Sequence, residues 1–135
     1  MRRFATVILV DPRGWLLLQE RDEHAPIDPE RWGLVGGHVE DGEDIEHAVH
    51  RELAEETGLG GHALTRWRLF VVHGEDEMTV YAGPTTVTDD DVVCGEGRQI
   101  VFVEPGVATG LHLTRAAEVV VPEFLSSELY ASLLP

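Results

Sequence analysis

The sequence predicts an α/β fold with a mixed central sheet, and three observations carry the prediction. Short apolar runs bounded by turn residues recur along most of the 135-residue chain. Residues 44–57 have helical rather than alternating periodicity, and a second helical region begins near Thr114. Strands interspersed with amphipathic helices of this kind suit a sheet covered by helices.

Taken in order, Phe4 to Val10 and Trp15 to Glu20 are apolar runs joined by Asp11-Pro12-Arg13-Gly14, a turn by composition. They are expected to form a hairpin or a neighbouring pair. Residues 21–31 hold two prolines and mixed charge and are read as a loop over a site entrance. Gly36-Gly37 is read as a loop, followed by a helix from Asp44 to Thr57. Leu64 to Val72 and Met78 to Ala82 are strand-like on either side of Gly74-Glu75-Asp76-Glu77, and Gln99 to Val103 is a further strand. Thr114 is a candidate N-cap, and Pro122 either breaks that helix or starts a final one through Leu134.

Composition bounds the function. The length suits one domain spanning residues 1–135. A formal net charge of −15 argues against a nucleic-acid polymer or an anionic membrane surface as partner. Cys94 is the only cysteine, so no intrachain disulfide can form and a cytoplasmic setting is expected. The first apolar run ends at Asp11-Pro12, too short to span a membrane. All ten basic residues are arginine, which implies nothing about function. Oligomeric state stays open between monomer and homodimer.

The chemistry concentrates in Glu52, Glu55 and Glu56. Residues three and four apart share a helix face, so these carboxylates form an oxygen cluster that repels itself. With Ile45 at zero on a helical wheel, Ala48, Val49 and Leu53 define the buried stripe; Glu52 falls near about −20°, Glu56 near about +20° and Glu55 near about −80°. An acid turned inward is costly without a partner, and a hard cation, Mg²⁺ or Mn²⁺, relieves it with oxygen ligands.

Gly37, Glu43, Arg51, Glu52, Leu53, Glu55, Glu56, Gly58 and Leu59 fill every defined position of a signature that runs from a glycine to an aliphatic residue. In this respect the segment resembles the Nudix hydrolases. The one flanking departure is Val35, where many members carry proline. The resemblance implies an α/β/α sandwich with a mixed sheet and a metal bound by Glu52, Glu55, Glu56 and the Gly37 carbonyl, with Gly36 beside it. It also implies that Arg51 pairs with Glu43 to hold the loop against the helix. Gly58 suits a left-handed helix end. A downstream glutamate often joins such sites, and Glu96, between Gly95 and Gly97, is similar to it; a plain turn glutamate is the alternative.

Two further residues are read both ways. Trp32 either stacks on a nucleobase or packs beneath the glycines. His38, adjoining Gly37, either contacts substrate or is an ordinary loop histidine. His47 and His50 lie opposite the apolar stripe and are expected in solvent.

The resemblance implies hydrolysis of a nucleoside diphosphate linked to another group, a small-molecule substrate. Nucleoside or deoxynucleoside triphosphates lead, with nucleotide sugars and ADP-ribose behind them. A non-catalytic nucleotide-sensing module is the competing class, favoured by loss of a metal carboxylate. An isomerase of small diphosphates would need a catalytic cysteine and a longer chain.

Overall fold

The computed structural model describes residues 1–135. Six strands form one sheet: β1 (Arg3–Val10), β2 (Leu16–Glu20), β3 (Trp32–His38), β4 (Thr65–Val72), β5 (Asp76–Pro84) and β6 (Gln99–Val103). Their spatial order is β4-β5-β1-β3-β2-β6, with β1 and β5 parallel and the other ladders antiparallel. The mixed sheet is therefore as expected. Four helices cover it: α1 (Ile45–Thr57), α2 (Pro105–Ala108), α3 (Arg115–Leu125) and α4 (Glu128–Leu133).

Alternation along the strands separates two cores. Ile8, Val10, Leu16, Leu18 and Val80 pack with Ala117, Val121 and Phe124 of α3, while Val7, Leu9, Leu17, Val35 and Tyr81 pack with Ala48, Val49 and Leu53 of α1. Each face of the sheet thus buries its apolar rows under a helix layer, which makes the α/β/α sandwich.

One expectation, the pairing of β1 with β2, holds in part, and two need correction. β1 and β2 meet at Val10 and Leu16, but the long ladders of β1 run to β3 and β5, so the hairpin is only its corner. Gly36 and Gly37 lie inside β3 rather than in a loop. Close approach is what excludes larger side chains: a Cβ on Gly36 would stand 2.3 Å from the Ala5 carbonyl oxygen of the neighbouring strand. Finally, Pro122 falls inside α3, whose Val120, Val121 and Phe124 are buried and anchor the helix on both sides of it.

α1 follows local rules. The Asp44 side chain accepts from the Glu46 N–H as N-cap, and Gly58 closes the helix at φ 74°, its N–H donating to the Ala54 carbonyl.

Candidate active site

Where β1 and β3 meet the C-terminal half of α1, the sheet and helix enclose a cleft of about 440 Å³. Its floor includes Phe4, Thr6, Leu34, Gly36 and Gly37; Glu52 and Glu56 enter from α1, and Glu96 and Gly97 from the loop before β6. The strap of residues 22–28 closes one side.

Glu56 is the most constrained acid. It is 5% exposed, and the Gly36 N–H donates to its Oε2 at 3.1 Å. Burial, reinforced by the charges of Glu52 and Glu96, pushes its carboxyl up to about 8, despite the opposing Gly36 bond. Burial also raises Glu52, partly countered by Arg51. Gly37 makes room for that carboxylate: a Cβ there would lie 2.5 Å from Glu52 Cδ.

Arg51 organises the acids without entering the cleft. Its Nε and Nη2 donate to Glu43 Oε2 and Oε1 at 2.7 and 2.8 Å, a bidentate pair. Nη1 donates to Glu52 Oε1 at 3.0 Å and Glu55 Oε2 at 3.2 Å, and Nη2 also reaches the His38 carbonyl at 3.0 Å. The guanidinium therefore joins α1 to the end of β3. Glu43 is held well below the ordinary carboxylate value, mainly by Arg51, and Arg51 is raised by Glu43.

The other singled-out residues divide. Glu55 stands outside the cleft lining, its side chain 59% exposed. His38 lines the cleft and stacks at 4.5 Å on Phe4. Trp32 does not line it; its ring packs against the α3-side core and its backbone bonds His112 and Thr114. His47 and His50 are exposed, with His47 Nδ1 2.8 Å from Glu43 Oε2.

Arg21 escaped the sequence reading, which counted it in a loop. It is the only arginine lining the cleft, and its Nη1 donates to the Ile27 carbonyl. Burial lowers its pKa, while Asp28, Glu56 and Glu96 oppose that shift. No local signal marked it: its Nε stands 3.3 Å from where a Cβ on Gly33 would lie, a neighbour across the fold.

The strap is fastened by charge. Asp28 accepts from the Arg115 N–H at 2.8 Å, at the start of α3, and Arg98 Nη2 donates to Glu23 and Glu30 at 2.8 and 3.0 Å. Asp28 and Glu30 take positive φ angles of 45° and 61°, left-handed conformations that cost free energy in non-glycine residues.

Could this donor set hold a divalent cation? Glu52, Glu56, Glu96 and the backbone of Gly37 present hard oxygens around one cleft, and a carboxyl raised by burial and by its like-charged neighbours is what a cation relieves. The set fits by its chemistry. The carboxylates are not drawn together, since no three His, Cys, Asp or Glu side chains are grouped as ion coordination requires. Arg51 bonds both Glu52, which lines the cleft, and Glu55, which stands outside it, so binding would require Glu55 to turn inward.

Comparison with known proteins identifies the domain and its fold. Residues 1–120 match the NUDIX domain. The RNA pyrophosphohydrolase of Caulobacter vibrioides is 47% identical over 53 residues, covering 39% of this chain and 30% of that protein. Nucleoside triphosphatase NudI of Salmonella agona is 42% identical over 50 residues, 37% of this chain and 36% of its own. The matched segments thus span about a third of those relatives' length. Among solved structures, a MutT protein of Methanosarcina mazei superposes with TM-score 0.74 at 22% identity, covering 93% of each chain. The NUDIX domain of Shewanella oneidensis NrtR, crystallised with ADP ribose, gives 0.78 at 15% identity, over 92% of this chain and 86% of that one. No helix is long and apolar enough to cross a membrane.

Proposed function

The chain belongs to the NUDIX domain family, and on that premise we propose that it hydrolyses a phosphoric anhydride bond in a small nucleotide, a nucleoside or deoxynucleoside triphosphate first of all. The observation that carries this reading is the convergence of Glu52, Glu56 and Glu96 with the half-buried cation Arg21 on one cleft. Relatives named for RNA and for nucleoside triphosphates leave two substrate sizes open. Net charge decides between them: −15 repels the backbone of a polymer, while a single nucleotide meets only the local field of the cleft. Nucleotide sugars and ADP-ribose follow as smaller alternatives of the same class.

Glu52, Glu55, Glu56, Glu96 and the Gly37 carbonyl would hold Mg²⁺ or Mn²⁺, with Glu55 recruited from the rim. When bound, such an ion neutralises phosphate charge and makes a water more acidic.

The chain's own residues supply the rest. Arg21 binds phosphate oxygens; its guanidinium lines the cleft and is already held by the Ile27 carbonyl, so little entropy is lost on binding. Glu96, on the opposite wall, accepts the proton of the attacking water. His38, stacked on Phe4, contacts the bound nucleotide from the floor. Arg51 and Glu43 keep α1 seated against β3, which fixes the spacing of Glu52 and Glu56 from the glycines. In-line attack at phosphorus then yields a nucleoside monophosphate and pyrophosphate. We read the setting as cytoplasmic.

The test is a product assay on nucleoside triphosphates, nucleotide sugars and ADP-ribose with Mg²⁺ or Mn²⁺, beside Glu56→Gln. Anhydride cleavage that Glu56→Gln abolishes is expected. No cleavage of any of them, with nucleotide binding intact, would overturn the enzyme reading.

A further inference from the structure

We infer that Gln19 is a positioning residue: its side-chain amide fixes the backbone of Glu96 so that the Glu96 carboxyl is delivered to the cleft. The inference rests on the reading of Glu96 as a participant in hydrolysis, and it explains how an exposed loop residue acquires a defined place.

Gln19 is the oddity of β2. Leu16 and Leu18 face the α3-side core and Leu17 the α1-side core, so Gln19, two residues after Leu17, points to the α1 side. It is 6% exposed in a strand paired on both edges, Gln19 opposite Gly33 of β3 and Ile100 of β6. A buried carboxamide is costly unless it is bonded. Its Nε2 donates to the Glu96 carbonyl at 2.8 Å.

The flanking glycines show that this contact belongs to a clamp. The Gly95 N–H donates to the Glu56 carbonyl at 2.8 Å, and a Cβ on Gly95 would stand 2.4 Å from the Glu55 carbonyl oxygen. Gly97, at φ 86°, would bring a Cβ 2.6 Å from the Glu20 carbonyl oxygen, and Arg98 N–H donates to that same oxygen at 2.9 Å. The loop is therefore pressed against α1 on one side of Glu96 and against β2 on the other. The glycines serve close approach, and the loop is fastened on both sides of Glu96. Glu96 itself has no backbone partner in α1 or β2; Gln19 and the weak donor Cys94 Sγ, 3.2 Å away, hold its carbonyl. With the carbonyl turned inward, the Glu96–Gly97 peptide plane is set, and Glu96 lines the same cleft as Glu56.

The experiment is a double-mutant cycle of Gln19→Met, which keeps length and removes the donor, with Glu96→Gln. The cycle measures kcat and KM on the substrate identified by the product assay, together with amide hydrogen exchange in the metal-free proteins. Gln19→Met is expected to lower kcat about 10- to 100-fold with KM within about 2-fold, and to add no further loss in the Glu96→Gln background. The amides of Gly95 and Arg98 should exchange at least about 10-fold faster, while those of the β1–β5 ladder stay unchanged. A merely structural role gives losses that multiply, and that result overturns the inference. Full activity in Gln19→Met beside a crippled Glu96→Gln overturns it alone, whereas full activity in Glu96→Gln sinks the reading of Glu96 on which it rests. Unchanged protection of Gly95 and Arg98 overturns it whatever the turnover. Should Gln19→Met fold poorly, Gln19→Leu replaces it, with the same split expected because neither side chain can donate to the carbonyl.

Discussion

Glu56→Gln should stabilise the metal-free protein at alkaline pH and leave it nearly unchanged at acid pH. The folded protein holds a proton on Glu56 up to about 8, against an ordinary value of 4.5, because the carboxyl is buried beside Glu52 and Glu96. A raised carboxyl favours folding below the ordinary value, and that contribution is lost as pH climbs towards the folded one. Between pH 5.5 and 8.5 the loss works out at about 3 kcal/mol, a large part of the ~5–15 kcal/mol that stabilises a domain. Glu43, Asp28 and Asp76, all held low by arginine partners, act in the opposite sense and below the ordinary carboxylate range, so they do not tilt this window. Gln can accept the same Gly36 N–H that Glu56 accepts, and it carries no charge to strand. The assay is urea unfolding in chelator at pH 5.5 and 8.5 for both proteins. Wild type should lose about 3 kcal/mol more than the variant across the interval. Mg²⁺ at pH 8.5 should then restore wild type and not the variant, since only a state that binds the ion gains by it. Parallel pH dependence in the two proteins would show that Glu56 titrates normally, and the picture of a strained acid cluster would fall.

Glu52→Gln, Glu55→Gln and Glu56→Gln should each lower kcat on the order of 100-fold or more with the fold retained by circular dichroism; Glu55 is the informative case, because full activity in its variant would remove the rim carboxylate from the donor set. Chelation should abolish turnover and Mg²⁺ or Mn²⁺ restore it ahead of Zn²⁺, given all-oxygen donors, and turnover that survives exhaustive chelation refutes the mechanism. Glu96→Gln should reduce kcat by about 10- to 1,000-fold with little change in KM, whereas His38→Ala should act mainly on KM; the reverse pattern in steady-state kinetics would reassign the base. Gly37→Ala should lose activity by displacing the Glu52 carboxylate, and a crystal structure showing Glu52 unmoved would refute the steric account.

What could be read from the sequence was what depends on near neighbours. α1 declared itself through Asp44, Gly58 and its apolar stripe, and the wheel placed Glu56 inward and Glu55 at the edge, where the structure has them. β3 was invisible because Trp32-Gly33-Leu34-Val35-Gly36-Gly37-His38 has neither alternation nor β-branched density; its strand conformation comes from being paired on both sides by β1 and β2. The same is true of Arg21, whose burial depends on Gly33 and Thr114 across the fold. Gln19 and Glu96 are 77 residues apart, and no local rule connects them.

The strap and the acids are held by different kinds of contact. Asp28, Glu23 and Glu30 fasten the strap through exposed arginines at a conformational cost, whereas Glu52 and Glu56 stand on a packed helix and Glu96 on a loop bonded to α1 and β2. The wall that greets a ligand can therefore change without disturbing the helix that carries Glu52 and Glu56, provided the Ile27 carbonyl that holds Arg21 keeps its place. Sequence drift in residues 22–30, or a library confined to them, would sample new ligands on an unaltered reaction centre, and duplicated copies of such a gene could part ways in substrate while keeping one chemistry.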